Sequence, residues 1–307
     1  MESDQRIQAI LASGIKIPPM PEIFLRLNTL LHDADAGPVE LAALVRDDGA
    51  LSGAIFRVVG SPVFGLHAKV DSLPRAISLL GIRNTAALVR SEALRAALGD
   101  ARHARALQQL WNRGAAIAAL CVLAAKTSRL GSGVGLDAAY LLGMFHDCGL
   151  ALLCKRFPAY SAALSELNAW PDILELDRVH QLSHAVIGQM VAKNWALPDE
   201  LVLAIRHHHD PEARELPTTA LKLCALLDFA MHLHNQVCGL DDPEWTSGKY
   251  HETLRRLDLD ETTFAAWEAK IRADSTFPAI ETKASPASEA VSAGASSSDA
   301  YISPNQP

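Results

Sequence analysis

Apolar residues recur along most of the chain at the three- and four-residue spacing of an amphipathic helix. After Pro21, for example, Ile23, Leu27, Leu30 and Leu31 fall on one side of a helix. No stretch of the sequence alternates apolar and polar residues over the length of a useful strand. The pattern predicts an all-α protein, with later helices over 104–130, 183–195, 198–209, 218–235 and 261–272.

The composition agrees with this prediction and bounds the class of protein. Hydrophobic residues make up 49% of the 307 residues and charged residues 21%, which is the balance of a globular chain. Only 6% are aromatic, whereas Ala and Leu, which favour helix over strand, recur throughout. Residues 278–307 are rich in Ser, Ala and Pro and poor in large apolar groups, so we expect a disordered tail there.

Charge and cysteine usage narrow the functions that the chain can have. The formal net charge of -7 argues against a nucleic-acid or anionic-membrane surface, because such surfaces need clustered Lys and Arg. The cysteines lack the CxxC spacing of a zinc knuckle, which favours reduced thiols. The first residues carry no basic start followed by an apolar stretch, so we expect no signal peptide and a soluble, cytoplasmic protein.

Helix geometry sorts the three consecutive histidines in "DELVLAIRHHHDP". Each residue advances about 100° around the helix axis, and Leu201 and Ile205 mark the apolar face. Relative to that face, His208 and His209 point inward and His207 points outward.

Further polar side chains interrupt other apolar helix faces. His184 shares a face with Ile187, and Asp228 lies where a carboxylate is costly unless something pairs with it. A His-Asp pair, His146 and Asp147, interrupts the apolar run "YLLGMFHDCGLALL". One such group is usually a satisfied core residue, but several imidazoles and carboxylates together form a ligand set for a transition metal. We therefore favour a shared polar pocket.

The N-terminal half carries four short motifs, "IPPMPEIFLRL", "ELAALVRDDGAL", "FRVVGSPVFG" and "SLPRAISLLGI". They resemble the LP-x-LP, DPxL, NS-x-x-FG and AI-x-x-LG elements of HDOD domains. These domains are relatives of the HD-type metal-dependent phosphohydrolases and of the HD-GYP cyclic-di-nucleotide phosphodiesterases. The resemblance extends from about residue 17 to residue 235, with Gly49 where Pro is usual and Gly60 where Asn is usual.

The resemblance implies an N-terminal helical subdomain packed on an HD-like helical bundle. We expect five segments along the chain. These are an N-terminal helical segment (1–16), the two halves of the HDOD domain (17–100 and 101–235), a C-terminal helical extension (236–277) and the disordered tail (278–307).

The resemblance also implies which residues line the pocket. Six of them align with positions that bear metal in catalytic HD relatives: His146, Asp147, His184, His208, His209 and Asp228. At the first ligand position, where catalytic members carry His, this sequence has Arg113 in "LWNRG". The Gly-Tyr-Pro signature of the HD-GYP enzymes is also missing after "HHHDPEARELPT".

Arg113 changes the expected chemistry of this pocket. A guanidinium stays protonated and has no lone pair to donate to a metal ion. Arg113 lies on the side of its helix that carries Leu110 and Ile117, so it should point inward. We therefore predict a degenerate pocket without metal, in which Arg113 pairs with Asp147 or Asp228. Removal of such a partner would strand a buried carboxylate, at a cost of about 3–5 kcal/mol.

The resemblance implies bacterial signal transduction, often near cyclic-di-GMP, two-component or motility pathways. We expect a non-catalytic module that binds a signalling protein or a nucleotide and that has no membrane or nucleic-acid partner. The alternative is an HD-type metal-dependent phosphohydrolase or phosphodiesterase, in which the six aligned ligands hold Fe, Mn or Zn and Arg113 clamps the substrate phosphate. A third hypothesis is a purely structural helical scaffold. Partner, pathway and oligomeric state stay open.

Overall fold

The computed structural model describes most of the chain. The described residues are 10, 14–60, 70–127, 134–166, 170–210, 213, 215–274 and 277. The predicted disordered tail, 278–307, and most of the predicted N-terminal segment, 1–16, lie outside them.

Every regular element within these ranges is a helix, which confirms the predicted all-α class. A short 3₁₀-helix, Ala101–His103, precedes α6, and a π-helical turn, Trp245–Lys249, precedes α14. In chain order the α-helices are α1 (Glu22–His32), α2 (Pro38–Val45), α3 (Gly49–Val59), α4 (Leu73–Leu80), α5 (Ile82–Ala97), α6 (Ala104–Thr127), α7 (Leu136–Phe145), α8 (Cys148–Arg156), α9 (Pro158–Leu164), α10 (Ile173–His180), α11 (His184–Asn194), α12 (Asp199–His207), α13 (Thr218–Cys238), α14 (Tyr250–Leu257) and α15 (Glu261–Arg272).

The apolar periodicity locates the later helices closely. Helix α15 covers the predicted range, and α6 begins at the predicted residue and is described as far as Thr127. Helix α13 runs three residues past its predicted end, to Cys238. It stops there because Gly239 takes the left-handed conformation, with φ of 65°, that commonly ends a helix.

Two hydrophobic clusters organise the fold as an N-terminal helical subdomain packed on an HD-like bundle. The smaller cluster lies among α1 to α5 and includes the fully buried Leu27 and Ile77. The larger cluster surrounds α6 and includes Phe145. Helix α5 joins the two, since Leu88 belongs to the smaller cluster and Leu94 to the larger one.

Two glycines let the helices around the α7–α8 turn approach closely. A Cβ on Gly143 of α7 would lie 2.3 Å from Cα of Ala118 in α6. A Cβ on Gly149 of α8 would lie 2.1 Å from the carbonyl oxygen of His184 in α11. The turn that carries the His-Asp pair is therefore fixed against both α6 and α11.

The stretch that spans α7 and α8, Leu136–Arg156, is 21 residues long and has a window of mean hydropathy 1.3. By length and composition alone it could cross a membrane. However, 78% of that window is buried inside the protein, and the buried apolar residues of both helices belong to the larger hydrophobic cluster.

The helices of the C-terminal extension pack back on α13. Phe264 and Trp267 of α15 contact Phe229 of α13, with ring centroids 5.0 and 4.5 Å apart. The π-helical turn and α14 lie against the same helix. This packing brings two basic side chains, Lys249 and Arg256, to the buried face of α13.

The close approach of α6 and α7 predicts that Gly143→Ala is destabilising. The new methyl group would collide with the backbone of Ala118, and overpacking of this kind costs about 1–3 kcal/mol. Gly49→Ala is the matched control, because no atom lies within 4 Å of its Cβ position at the start of α3. Denaturant unfolding of the two variants measures the difference, and equal stabilities would contradict the packing described above.

Candidate functional site

The His-Asp pair lies at the turn between α7 and α8 and is buried, with His146 1% and Asp147 8% exposed. Nδ1 of His146 donates a hydrogen bond to the carbonyl oxygen of Gly143 at 2.8 Å. Its other ring nitrogen, Nε2, lies 3.1 Å from Oδ2 of Asp147 and makes no hydrogen bond of good geometry with any described residue. The turn thus directs both side chains into the core of the bundle.

Two further histidines meet the other oxygen of Asp147. Nε2 of His184, at the start of α11, lies 3.3 Å from Oδ1, and Nε2 of His208, just after α12, lies 3.5 Å from it. The two Nε2 atoms are 3.3 Å apart. One carboxylate oxygen and two imidazole nitrogens therefore form a nearly equilateral triangle.

Each histidine of the pocket is oriented by an oxygen acceptor at its outer nitrogen. Nδ1 of His184 donates to Oδ2 of Asp177 at 2.8 Å, and Nδ1 of His208 donates to the carbonyl oxygen of Ile205 at 2.7 Å. His209 likewise donates from Nδ1 to the carboxylate of Glu244, at 3.0 Å. A fixed outer N–H leaves the Nε2 lone pair as the available donor, which is the arrangement found around metal-binding imidazoles.

The donor set fits a single divalent transition metal. An ion with four tetrahedral bonds of about 2.1 Å holds its ligand atoms about 3.4 Å apart, close to the three edges measured here. A ring nitrogen of His209 completes a group of four in which all ligand atoms lie within 4.8 Å of one another. Asp147, His184, His208 and His209 could thus hold one ion, with a small inward movement of His209.

A proton on one of the imidazoles can neutralise the buried carboxylate charge in place of a metal ion. Burial by itself lowers the pKa of His184, but the carboxylates of Asp147 and Asp177 outweigh it and raise that pKa to about 10. Burial also works to raise the pKa of Asp147, whereas the surrounding imidazoles, His146 first, hold it well below its ordinary value. An imidazolium at His184 between two carboxylates is therefore the protonated form of the pocket.

Asp177 of α10 supports this arrangement from behind. It accepts hydrogen bonds from the hydroxyl of Tyr160 at 2.8 Å and from the backbone N–H of His184 at 2.9 Å. With three donors around it, the buried carboxylate is fully paired and holds the ring of His184 in one orientation.

Asp228 of α13 is buried and pairs with two basic side chains of the C-terminal extension. Nζ of Lys249 lies 2.9 Å from its Oδ1, and Nη1 of Arg256 lies 3.4 Å from its Oδ2. Lys249 also contacts Oε2 of Glu244 at 3.0 Å and donates to the carbonyl oxygen of His208 at 2.9 Å. Burial lowers the pKa of Lys249, but Asp228 and Glu244 outweigh it, so that pKa is raised and the amine stays charged.

Arg113 of α6 is buried, as predicted, but it does not form the predicted ion pair with Asp147 or Asp228. Its Nη1 donates to Nδ1 of His234 at 3.0 Å and to Oδ1 of Asn235 at 3.1 Å. Its guanidinium carbon lies 4.4 Å from the ring centroid of Trp170.

The reason for this difference is that both carboxylates already have nearer partners. Burial lowers the pKa of Arg113, and Asp147 opposes that effect only through space. The predicted pairing of Arg113 is therefore wrong, and the cations beside Asp228 are Lys249 and Arg256.

Of the residues predicted for the pocket, the structure brings together His146, Asp147, His184, His208 and His209. Asp228 connects to this group through the ammonium of Lys249, and Arg113 lies apart from it among neutral partners. Sequence reasoning missed five residues that pair with this set: Asp177, His234, Glu244, Lys249 and Arg256.

Only one of the missed residues had a usable sequence signal. Asp177 lies one helical turn after Ile173, so it interrupts a helix face in the same way as His184 does. Lys249 stands in the polar segment "TSGKYHETLRRL", where nothing distinguishes a buried ammonium from a solvated one.

The chain is similar to a known domain family and to a longer bacterial protein. The model of the HDOD domain matches residues 17–211. An uncharacterized protein of Treponema pallidum (strain Nichols) is 27% identical over 203 residues, which are 65% of this chain but only 39% of that protein. The chain therefore spans well under two thirds of the length of this relative.

Solved structures share the fold at low sequence identity. A protein of Marinobacter aquaeolei VT8 provisionally named a signal transduction protein has a TM-score of 0.65 and 21% identity over 92% of this chain and 65% of its own. A provisionally named metal-dependent phosphohydrolase of Shewanella amazonensis SB2B has a TM-score of 0.63 and 16% identity, covering 94% of this chain and 99% of its own. An HDOD domain protein of unknown function from Geobacter sulfurreducens has a TM-score of 0.63 and 22% identity, covering 92% and 97%.

Arg113 and Arg256 are both buried but have different partners, so their replacement should lower the free energy of unfolding by different amounts. Arg113→Met leaves two neutral acceptors unpaired, for about 1–3 kcal/mol. Arg256→Met is the matched control, since it is equally buried but pairs with Asp228 and Glu252, and its loss strands charge at about 3–5 kcal/mol. Urea unfolding compares them. A larger loss for Arg113→Met than for Arg256→Met would favour the ion pair predicted from the sequence.

Proposed function

Because the chain belongs to the HDOD domain family, we propose that it is a non-catalytic signalling module that acts by binding another molecule. The family match identifies an HDOD domain, and together with the fold it supports an HD-related domain of the signalling-related type. What we add is that its pocket stabilises the module and does not hydrolyse phosphate esters.

One observation carries this proposal: the pocket carboxylates are buried and already paired within the protein. Asp147 meets three imidazoles, and Asp228 meets Lys249 and Arg256. A hydrolytic metal site keeps an open position for water and substrate. Here His184 and His208 are 1% exposed and His209 alone is half-buried, so the described ligands offer a phosphate ester little access.

A metal ion could still bind within this module without making it an enzyme. Asp147, His184, His208 and His209 would hold it, and when bound it would supply a Lewis acid for polarising a phosphate oxygen or a water. Asp177 and Glu244 orient two of the imidazoles toward it. In our proposal these residues serve the fold, because Asp147, His184 and His208 are buried and Lys249 ties Glu244, the partner of His209, to Asp228.

The second candidate function is a metal-dependent phosphohydrolase. The retained donor group around Asp147 favours it, as does the similarity in fold to the Shewanella amazonensis protein that is provisionally named a metal-dependent phosphohydrolase. In that case Arg113 would have to move from His234 and Asn235 to reach a substrate phosphate. The two protein cations beside Asp228 argue against this candidate, since Lys249 and Arg256 lie where a metal ion bound to that carboxylate would have to be.

We propose a signalling protein as the partner and the cytoplasm as the location, with a nucleotide such as cyclic-di-GMP as the second candidate ligand. The named similarity to a signal transduction protein supports the signalling role in general terms. A thermal-shift assay with a panel of nucleotides distinguishes a nucleotide ligand from a protein partner. A nucleotide that binds only the folded state raises the melting temperature, whereas no shift favours a protein partner.

The closed and paired pocket predicts no phosphodiesterase activity. With added Mn²⁺, the full chain should hydrolyse bis(p-nitrophenyl) phosphate and cyclic-di-GMP no faster than buffer does. Asp147→Asn is the control, since it removes the carboxylate shared by the imidazoles. Turnover by the wild type that disappears in Asp147→Asn would make the chain an enzyme and refute the proposal.

The protein-based pairing also predicts that the fold does not need a metal. Gly143, Asp177, Ile205 and Glu244 anchor the pocket imidazoles with protein oxygens. Exhaustive chelation should therefore shift the melting temperature by less than about 3 °C, equivalent to about 1 kcal/mol for a domain of this size. A fall of 10 °C or more that zinc, iron or manganese reverses would mean that a metal is structural.

A further inference from the structure

The buried ammonium of Lys249 lies among three oxygen atoms. It lies 2.9 Å from Oδ1 of Asp228, 3.0 Å from Oε2 of Glu244 and 2.9 Å from the carbonyl oxygen of His208. An ammonium group has three N–H donors. One of them donates to the carbonyl oxygen of His208, whereas the contacts with the two carboxylates are ion pairs by distance, and Oδ1 of Asp228 makes no hydrogen bond of good geometry with any described residue. The side chain is only 6% exposed.

This environment is that of a small cation site. Two carboxylates and one carbonyl converge on a single point, and oxygen ligands of these kinds bind hard divalent cations. Ca²⁺ takes about six to eight such ligands at 2.3–2.6 Å, so these three oxygens would supply part of its shell, with water or the second carboxylate oxygens supplying the rest. They differ from the nitrogen-rich group around Asp147, which suits a transition metal. The pocket therefore has two cation positions of different chemistry, and the protein itself fills the second.

We propose that Lys249 is a built-in cation that takes the place of a hard divalent ion between Asp228 and Glu244. In doing so it ties the segment from Glu244 to Arg256 over the imidazole group. This inference goes beyond the proposed function, because it holds whether or not the module binds a partner.

The surrounding contacts explain why Lys249 can close the pocket. Glu244 is shared, since its carboxylate accepts from Nδ1 of His209 as well as from the ammonium. Arg256 stays in place independently, because Glu252 and the carbonyl oxygen of Asp210 hold its guanidinium. The loss of Lys249 would thus free one carboxylate oxygen on each of Asp228 and Glu244 without removing the other cation.

The test is rescue of Lys249→Ala by calcium, measured as the melting temperature of the full chain. The substitution removes the charge and opens space between the two carboxylates. The melting temperature should fall by roughly 10 °C, as expected for a stranded buried charge. Added CaCl₂ should restore at least half of the loss, because Ca²⁺ takes oxygen ligands and is a poor fit for the imidazoles.

Lys249→Met is the matched control, since it removes the charge but keeps most of the volume. It should lose as much stability and gain nothing from calcium. Wild type should not respond to calcium either, because its ammonium occupies the position. Calcium stabilisation of the wild type equal to that of Lys249→Ala, or no calcium response in Lys249→Ala, would overturn the proposal.

A second measurement covers the case in which Lys249→Ala does not fold. The double variant Asp228→Asn with Lys249→Met removes both charges together, so it should melt at a higher temperature than Lys249→Met alone. Additive losses would overturn the ion pair on which the proposal rests. Neither experiment measures hydrolysis or partner binding, so their failure is distinct from failure of the proposed function.

Discussion

The structure depends on how two carboxylates, Asp147 and Asp228, are neutralised inside a helical core. Each is nearly inaccessible to water, and an unpaired buried carboxylate would cost more free energy than most single contacts provide. Around Asp147, Gly143 allows close backbone approach of α6 and α7, and Gly149 allows that of α8 and α11; Asp228 lies on α13 and is 2% exposed. Compensation must therefore come from side chains, protons or ions within the protein.

The negative charges of Asp147 and Asp228 are neutralised by different kinds of group. Asp147 faces imidazoles, whose charge can be supplied by a proton or replaced by a metal ion, so this half of the pocket can adapt to its occupant. Asp228 faces an ammonium and a guanidinium, which cannot be exchanged. The two cations beside Asp228 lie in the C-terminal extension, after the region that matches the HDOD model. That extension is thus part of the pocket and not an addition to it.

Much of the fold could be predicted from the sequence, because helix periodicity depends on local spacing. The start of α6, the range of α15, and the inward side of His184 and His208 follow from the 100° step between residues. Side-chain pairing could not be predicted in the same way, because it depends on distances between helices. Arg113 and Lys249 are both basic and both buried, and only the packing of the C-terminal extension decides which one reaches Asp228.

The most direct test of this account is an anomalous-scattering crystal structure of the wild-type chain grown with manganese. The account predicts at most one manganese peak, among Asp147, His184, His208 and His209, with the ammonium of Lys249 still between Asp228 and Glu244. A manganese ion bound to Asp228, with Lys249 displaced, would contradict it and would favour a metal-dependent phosphohydrolase.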